Sequence, residues 1–305
     1  MSRTVVFTGY GDADVLHVVE EDPASPGPGQ VRVHVRAAGV QPFDCLFRSG
    51  AAQRWMPARF PQRLGNEFAG VVDALGPHVD GVAVGDEVLG WAMLASYAEH
   101  VVVGADQIAA KPAAMPWAEA GVLSASGQTA AAALATLGVG KGDTVLIHGA
   151  GGGVGGFAVQ IAVAAGATVV GTASEPNHEH LRTLGAVPVS YGDGLAERVR
   201  AAAPDGVDAA LDASGTVAAL QASLELVSDP DRVGTVSFQP AADQLGVRRL
   251  STERSPALLT ELTELYTAGR LPVVLQQACP LEHAADAHRA VETGHVRGKV
   301  VLTVD

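Results

Sequence analysis

The stretch "HGAGGGVGG", residues 148–156, sets six glycines in nine positions. Bare backbone at that density lets an anionic ligand come close enough for peptide N–H groups to hold it. A side chain in the same place would keep it away. The chain has 36 glycines, so the cluster alone decides nothing. Its flanks must.

Those flanks are a buried strand, "TVLIH" from Thr144 to His148, and a helix predicted to begin near Val154. On that helix Val154, Phe157, Ala158, Ile161, Ala162 and Ala165 fall on one apolar stripe, and only Gln160 is strongly polar. A strand, a tight glycine turn and a buried helix form the first unit of a dinucleotide-binding fold. Ala150, Gly152, Gly153 and Val154 then become candidate contacts to a pyrophosphate. Unpaired N–H groups and the helix dipole favour negative charge there. A flexible linker is the alternative, and four further strand/helix alternations downstream weigh against it.

The end of the second strand bears on which dinucleotide suits. A carboxylate there would bond the adenosine ribose hydroxyls and repel a 2′-phosphate. In "TVVGTAS" the position falls to Ala173 and Ser174, with Glu175 close behind. This favours NADPH over NADH.

Other chemistry-bearing residues have plainer readings. His178 and His180 lie two apart and would face different sides of a helix, which makes them solvated surface rather than a metal pair. His288 and His295 are two turns apart, too far for one ion. Cys45 and Cys279 cannot build a disulfide framework or a zinc knuckle. With no adjacent base or lysine to favour a thiolate, Cys45 reads as a small buried residue. Asp208 and Asp212 read as part of a strand and its exit turn. Trp91 either lines a pocket or packs the core.

Two kinds of element must position these groups. Up to about residue 115 the period is that of strands. In "VRVHVRAAGV", Val31, Val33 and Val35 alternate with Arg32, His34 and Arg36, a sheet with one buried face. An irregular, partly open β-barrel is the expected product. From about residue 117 an alanine-rich stretch leads into alternating strand-like and helix-like runs, the pattern of a parallel sheet with helices on both faces. The last run, "GKVVLTVD", is β-type and is expected to return to the N-terminal sheet. The chain is therefore read as α/β with two domains, residues 1–116 with 271–305 and residues 117–270. Its 305 residues exceed the usual single-domain size.

Composition narrows the function classes. A formal charge of −13 offers no basic face for a phosphate backbone, which argues against nucleic acid as a partner. Hydrophobic residues make up 48% and charged residues 17%, a globular rather than disordered balance. There is no apolar run of the roughly 18 residues that span a bilayer, and no apolar signal core at the N-terminus. A soluble cytoplasmic protein acting on a small molecule, with no membrane partner, is the expectation.

The chain resembles the medium-chain dehydrogenase/reductase superfamily, specifically its zinc-independent quinone oxidoreductase-like branch. The likeness runs over nearly the whole length. It is carried by "FDCLFRSG" (43–50), "LGNEFAGVVDALG" (64–76), "VGDEVLG" (84–90), "SYAEHVVV" (96–103), "GQTAAAAL" (127–134), "HGAGGGVG" (148–155), "LRTLGA" (181–186), "GVDAALDASG" (206–215) and "HVRGKVVL" (295–302). It implies a GroES-like substrate domain completed by the C-terminal strands, a doubly wound Rossmann domain, an active site in the cleft between them, and a homodimer. An edge of the Rossmann sheet near "GVRRLST" is the expected pairing surface.

Zinc-dependent relatives place a cysteine after "GV" near residue 41, a histidine in a Gly-His-Glu triplet, and a later cysteine or acid. This chain has Gln41, Asn66 and "LSASG" around residue 124. Neutral amides are poor zinc ligands, so no zinc is expected, and with it goes the Lewis acid that ionises alcohols. Substrates that accept hydride without a metal remain, namely quinones or C=C bonds conjugated to a carbonyl. Relatives often carry tyrosine where Leu46 stands and asparagine where Gln41 stands, so no catalytic residue is assigned. Gln41, Asn66 and Trp91 are pocket candidates, and Gln41 either bonds a substrate carbonyl or is a structural amide.

The same alignment implies that Thr129, Phe238 and Gln239 meet the nicotinamide and that Tyr191 meets the adenosine phosphate. The 2′-phosphate lysine of many relatives corresponds to Asn177. Two alternatives stay open beside the quinone or enone reductase. One is an enoyl-thioester reductase; the other is a non-catalytic NADPH-binding structural protein or redox sensor.

Overall fold

Val31, Val33 and Val35 are fully buried, and Arg32, His34 and Arg36 between them are half-buried. The period-two pattern thus becomes a strand with one face in a core. The computed structural model describes residues 1–251 and 253–304. These group into two units. The first comprises Met1–Ala125, Arg254–Glu264 and Val273–Asp305, and the second Ser126–Glu253 and Leu265–Pro272.

The first unit holds β1 (Ser2–Phe7), β2 (His17–Glu21), β3 (Gln30–Val40), α1 (Pro42–Ser49), β4 (Gln62–Arg63), β5 (Glu67–Leu75), β6 (Glu87–Trp91), β7 (His100–Gly104), β8 (Ile108–Ala110) and α2 (Trp117–Ala120). A small sheet runs in the order β2, β1, β4. The larger sheet runs from strand Leu275–Pro280 through Lys299–Thr303 to β3, β5, β6 and β8. Along one edge β3 pairs with β5. Along the other it pairs with β7 at Gln30–His34 and with the final strand at Ala37–Val40. A strand that changes neighbour midway lets the sheet curl without closing. The final strand does return to the N-terminal sheet, antiparallel to β3. Phe7, Phe47, Leu64, Phe68 and the β3 valines fill the core.

The alanine-rich texture starts at residue 117, yet Trp117–Ala125 groups with the first unit. The reason is packing. Val122 is buried with Ala37 of β3 and Val301 of the final strand, and Trp117 and Ala118 lie against that cluster. Residues 254–264, placed by sequence in the second domain, also group with the first unit.

The second unit takes most of α3 (Ser124–Thr136) and then alternates. It runs β9 (Thr144–His148), α4 (Gly153–Ala164), β10 (Thr168–Ala173), α5 (His178–Thr183), β11 (Val187–Ser190), α6 (Leu195–Ala202), β12 (Ala209–Asp212), α7 (Val217–Leu226), β13 (Val233–Thr235), α8 (Ala241–Leu245) and β14 (Arg248–Arg249). All six strands are parallel, in the order β11-β10-β9-β12-β13-β14. The chain steps outward from β9 to β11 and then returns to β12 on the other side of β9. That reversal leaves a crevice at the carboxyl ends of β9 and β12. Leu146, Val170, Ala210 and Val233 from the strands pack with Leu195, Val199 and Leu220 from the helices.

On α4, Phe157, Ala158 and Ala162 are buried as the stripe predicts. Val159 and Gln160 are buried too, while Ala165, at the helix C-cap, is exposed. Gln160 donates its amide N–H to Gly156 O at 3.0 Å, while its Oε1 is buried without a hydrogen-bond partner among the described residues. Among the described residues no helix is long and apolar enough to cross a membrane.

Candidate functional site

The glycine loop is pinned before it is opened. Ala150 N donates to Thr172 O of β10 at 3.1 Å, and Gly152 N to Gly149 O at 3.0 Å. Gly149 has φ of +70°, a left-handed conformation that glycine adopts without steric cost. A β-carbon on Gly155 would collide with the Gly149 carbonyl, so that glycine lets the helix close on its own loop. Gly152 differs from both. It is the N-cap of α4 with ordinary extended backbone and no side chain to cap the first turn. A β-carbon there would meet only Gly149 O, at 3.4 Å. The amides of Gly153, Val154 and Gly155 open the helix, where intrahelical partners are missing by geometry. The first turn carries no acidic side chain.

Neighbouring loops after the parallel strands complete this edge. Ser174 follows β10, and Asn177 donates from Nδ2 to Ser174 Oγ at 3.3 Å. The same Nδ2 lies 3.3 Å from where a β-carbon on Gly151 would stand, so the structure brings Ser174, Asn177 and the glycine loop together. Tyr191 follows β11 and is 60% exposed. Phe238 and Gln239 follow β13. Phe238 is 52% exposed, and Gln239 Nε2 donates to Gly215 O at 2.7 Å, tying the loops after β12 and β13. Thr129 is half-buried in α3.

Beneath these loops two polar residues are structural. Asp212 accepts from Ser214 N at 2.9 Å and from Thr235 Oγ1 at 2.7 Å, which shapes the turn after β12. Asp208 accepts from Thr144 N at 2.7 Å. Neither is half of an acid/base dyad. His148 lies between Thr172 Oγ1 (3.2 Å) and Ser223 Oγ (3.1 Å), and burial lowers its pKa to about 4. It is a neutral bridge between β9, β10 and α7.

In the first unit, two of the pocket candidates, Gln41 and Asn66, belong to a buried polar cluster whose centre sequence reasoning missed. Gln41 caps α1, and Asp44, three residues on, reaches back to Gln41 N at 2.8 Å. Asp44 also accepts from Asn66 Nδ2 at 2.7 Å and Tyr97 OH at 2.9 Å. Burial raises the Asp44 carboxyl to about 6 against the pull of those bonds. It pushes the Tyr97 hydroxyl well above its usual value, so Tyr97 stays a donor. Glu67, also buried, accepts from Gln41 Nε2, from Lys299 Nζ at 3.1 Å and from Ala125 N at 2.6 Å. Trp91, half-buried at the end of β6, is paired with Glu67 across the sheet.

The Gln-Pro-Phe-Asp spacing at 41–44 is a capping-box signal that could have found Asp44. Nothing local points to Lys299, which arrives from the last strand. Cys45 is buried, and burial followed by the nearby Asp44 charge raises its thiol pKa. Among the described residues no group of three or more His, Cys, Asp or Glu is arranged to hold a metal ion.

A family model described as alcohol dehydrogenase GroES-like domain matches residues 27–205, and one described as zinc-binding dehydrogenase matches residues 184–302. The quinone oxidoreductase of Pseudomonas aeruginosa is 30% identical, over 99% of this chain and 99% of that protein. A mycocerosic acid synthase-like polyketide synthase of Mycobacterium tuberculosis is 33% identical over 96% of this chain, which spans 15% of that protein's length. Escherichia coli quinone oxidoreductase complexed with NADPH superposes with a TM-score of 0.87 at 27% identity, covering all of both chains. The CurK enoyl reductase does so with a TM-score of 0.89 at 26% identity, over 100% of this chain and 99% of that one.

Proposed function

The chain belongs to the quinone oxidoreductase-like branch of the medium-chain dehydrogenase/reductase superfamily, and from that premise we propose that it is an NADPH-dependent reductase that works without zinc on a quinone or an α,β-unsaturated carbonyl compound. One observation carries the reading. A bare-backbone nucleotide cradle stands in a chain whose catalytic-zinc positions are filled by neutral amides, with the remaining carboxylate held by an ammonium. A metal at Glu67 would have to displace Lys299, and Gln41 and Asn66 would be weak replacements for thiolate and imidazole.

NADPH, when bound, supplies the hydride. The chain's own residues hold and orient it. Gly153 and Val154 present backbone N–H groups to the pyrophosphate, each such bond to a charged oxygen worth about 1.5–3 kcal/mol, while Ala150 and Gly152, whose N–H groups are spent on Thr172 O and Gly149 O, shape the loop and let the ligand approach. Ser174, Asn177 and Tyr191 face the adenosine end, while Thr129, Phe238 and Gln239 serve the nicotinamide end. Gln41, Asn66 and Trp91 are the candidates for contact with the substrate.

The test follows NADPH and NADH absorbance with purified protein and a panel of quinones, enones and enoyl thioesters. NADPH oxidation with quinones or simple enones is expected. Likeness to the CurK enoyl reductase and to a polyketide synthase segment favours enoyl thioesters as a second reading. Turnover confined to thioesters would establish that reading instead. Binding of NADPH with no oxidation across the panel would leave only a sensor or structural role.

Cofactor choice has its own check. Asn177→Lys places an ammonium beside Ser174 at an exposed turn, where a charge-assisted bond to the 2′-phosphate is partly screened. The preference for NADPH over NADH, measured as a ratio of dissociation constants, should rise about tenfold. An unchanged ratio would mean that this turn does not receive the 2′-phosphate.

The proposal extends to a homodimer. β14 is an edge strand with Arg248 and Arg249 exposed, and Leu250 N is already given to Thr235 O. Strand alternation turns Arg249 N–H outward, ready to pair across a two-fold axis. Sedimentation as a monomer at micromolar concentration would refute this.

A further inference from the structure

The buried cluster of the first unit spends its donors on itself. Gln41 Nε2 serves Glu67, Asn66 Nδ2 serves Asp44, Tyr97 OH serves Asp44, and Lys299 Nζ serves Glu67. Arg254 is the exception. It is half-buried, and its guanidinium makes a single hydrogen bond among the described residues, Nη1 to Asn66 O at 3.4 Å. Burial disfavours its charge, and the carboxylates of Glu67 and Asp44 restore part of what burial removes. The guanidinium is therefore held in the field of both carboxylates while bonded to neither. It carries five N–H donors in a fork, always charged.

A cation so placed beside Asn66 stands where the first unit would otherwise lack an electrophile. We propose that Arg254 is a catalytic residue that binds the substrate carbonyl oxygen and stabilises the oxyanion formed as the conjugated carbon accepts hydride. This rests on the reductase reading above. In an enone the hydride adds to the β-carbon and the C=C pair moves to form the C=C of an enolate. The C=O π pair moves onto oxygen, where Arg254 donates to the new negative charge. A solvent proton then adds to the α-carbon and the carbonyl re-forms. The C=C bond is reduced and the nicotinamide oxidised, two electrons each. In a quinone the hydride adds to a ring carbon, the oxygen held by Arg254 takes a solvent proton, and enolisation of the second carbonyl, which moves a proton from that ring carbon to the other oxygen, gives the hydroquinone.

The plain alternative is that Arg254 only balances the charge of Asp44 and Glu67. That role would affect stability and leave chemistry alone. Arg254→Ala separates the two. With 1,4-benzoquinone and 2-cyclohexenone as substrates, kcat/KM should fall about 100-fold, the scale of losing one oxyanion donor. The NADPH dissociation constant should stay within about twofold, and millimolar guanidinium chloride should restore part of the rate to this variant and not to the wild type. A second readout needs no turnover. 4-Nitrophenol, whose phenolate mimics the enolate oxygen, should bind the wild type with its pKa lowered by about one unit, a shift that Arg254→Ala abolishes. Retention of kcat/KM within about threefold would overturn the inference. So would a loss with neither guanidinium rescue nor a change in the bound phenol's titration. Wild-type protein inactive on the whole panel would instead sink the reductase reading, and the phenol titration would still report on Arg254.

Discussion

Replacing Gly152 by aspartate is expected to leave the protein folded and to abolish NADPH binding. Gly152 has φ of −86° and ψ of −176°, which any residue adopts, and a β-carbon there makes only an ordinary contact with Gly149 O. Aspartate is also a preferred helix N-cap, and its carboxylate accepts from the first-turn N–H groups, contributing about a few tenths of a kcal/mol over glycine. Those are the donors a pyrophosphate needs, and the new charge repels what remains of it. Losing two bonds of about 1.5–3 kcal/mol each corresponds to a weakening of more than about 100-fold. Fluorescence titration with NADPH, beside thermal unfolding, measures both halves. Affinity within about fivefold of the wild type would mean the loop is not the cradle. Gly155→Ala makes the contrast, because its collision with the Gly149 carbonyl strikes the fold itself.

The second large effect is on stability. Lys299 and Glu67 are both buried and lie 3.1 Å apart. Lys299→Met leaves a buried carboxylate that still has Gln41 Nε2 and Ala125 N but no counter-charge from the last strand. Breaking a buried pair from one side costs about 3–5 kcal/mol, because the surviving charge has lost both water and partner. Urea unfolding should show a loss of that size. The double variant Glu67→Gln with Lys299→Met should recover much of it, since neither charge is then stranded. A loss under about 1 kcal/mol in the single variant would show that Glu67 finds other compensation. The final strand is then more than a sheet component, because its first residue neutralises the centre of the polar cluster.

Local signals made much of this legible. The valine alternation specified β3, and the strand–glycine–helix pattern specified the β9–loop–α4 unit, because period and turn chemistry are written within about 20 consecutive residues. Ser174 stands out by its place after the second strand and Asn177 through the resemblance to relatives, and in the structure the two are hydrogen-bonded to each other beside the glycine loop. The breadth of burial on α4 was not legible. Gln160 reads as polar, yet it is buried with its N–H on Gly156 O and its Oε1 without a partner among the described residues. Alanine-rich composition from residue 117 says helix and does not say which sheet the helix covers, and Trp117–Ala125 groups with the first unit through its packing on β3 and the final strand.

Sequence by itself determined the two kinds of sheet, the glycine loop and the absence of thiolate and imidazole at the positions where zinc relatives bind metal. The first two follow from residue type at a fixed local spacing, and the third from the resemblance to zinc-dependent relatives. Only the tertiary structure decided what surrounds those positions. Asp44 comes from α1, Asn66 and Glu67 from the start of β5, Tyr97 from the segment before β7, Arg254 from the far side of the second unit's sequence, and Lys299 from the last strand. Their meeting is a matter of strand register, as when β3 exchanges β7 for the final strand halfway along its edge. Hydrogen bonds and ion pairs act over about 3 Å, and separations of up to about 250 residues carry no local trace of that proximity. Gln41 and Asn66 were therefore visible as residues unsuited to zinc, while the carboxylates and cations that surround them became visible only in the fold.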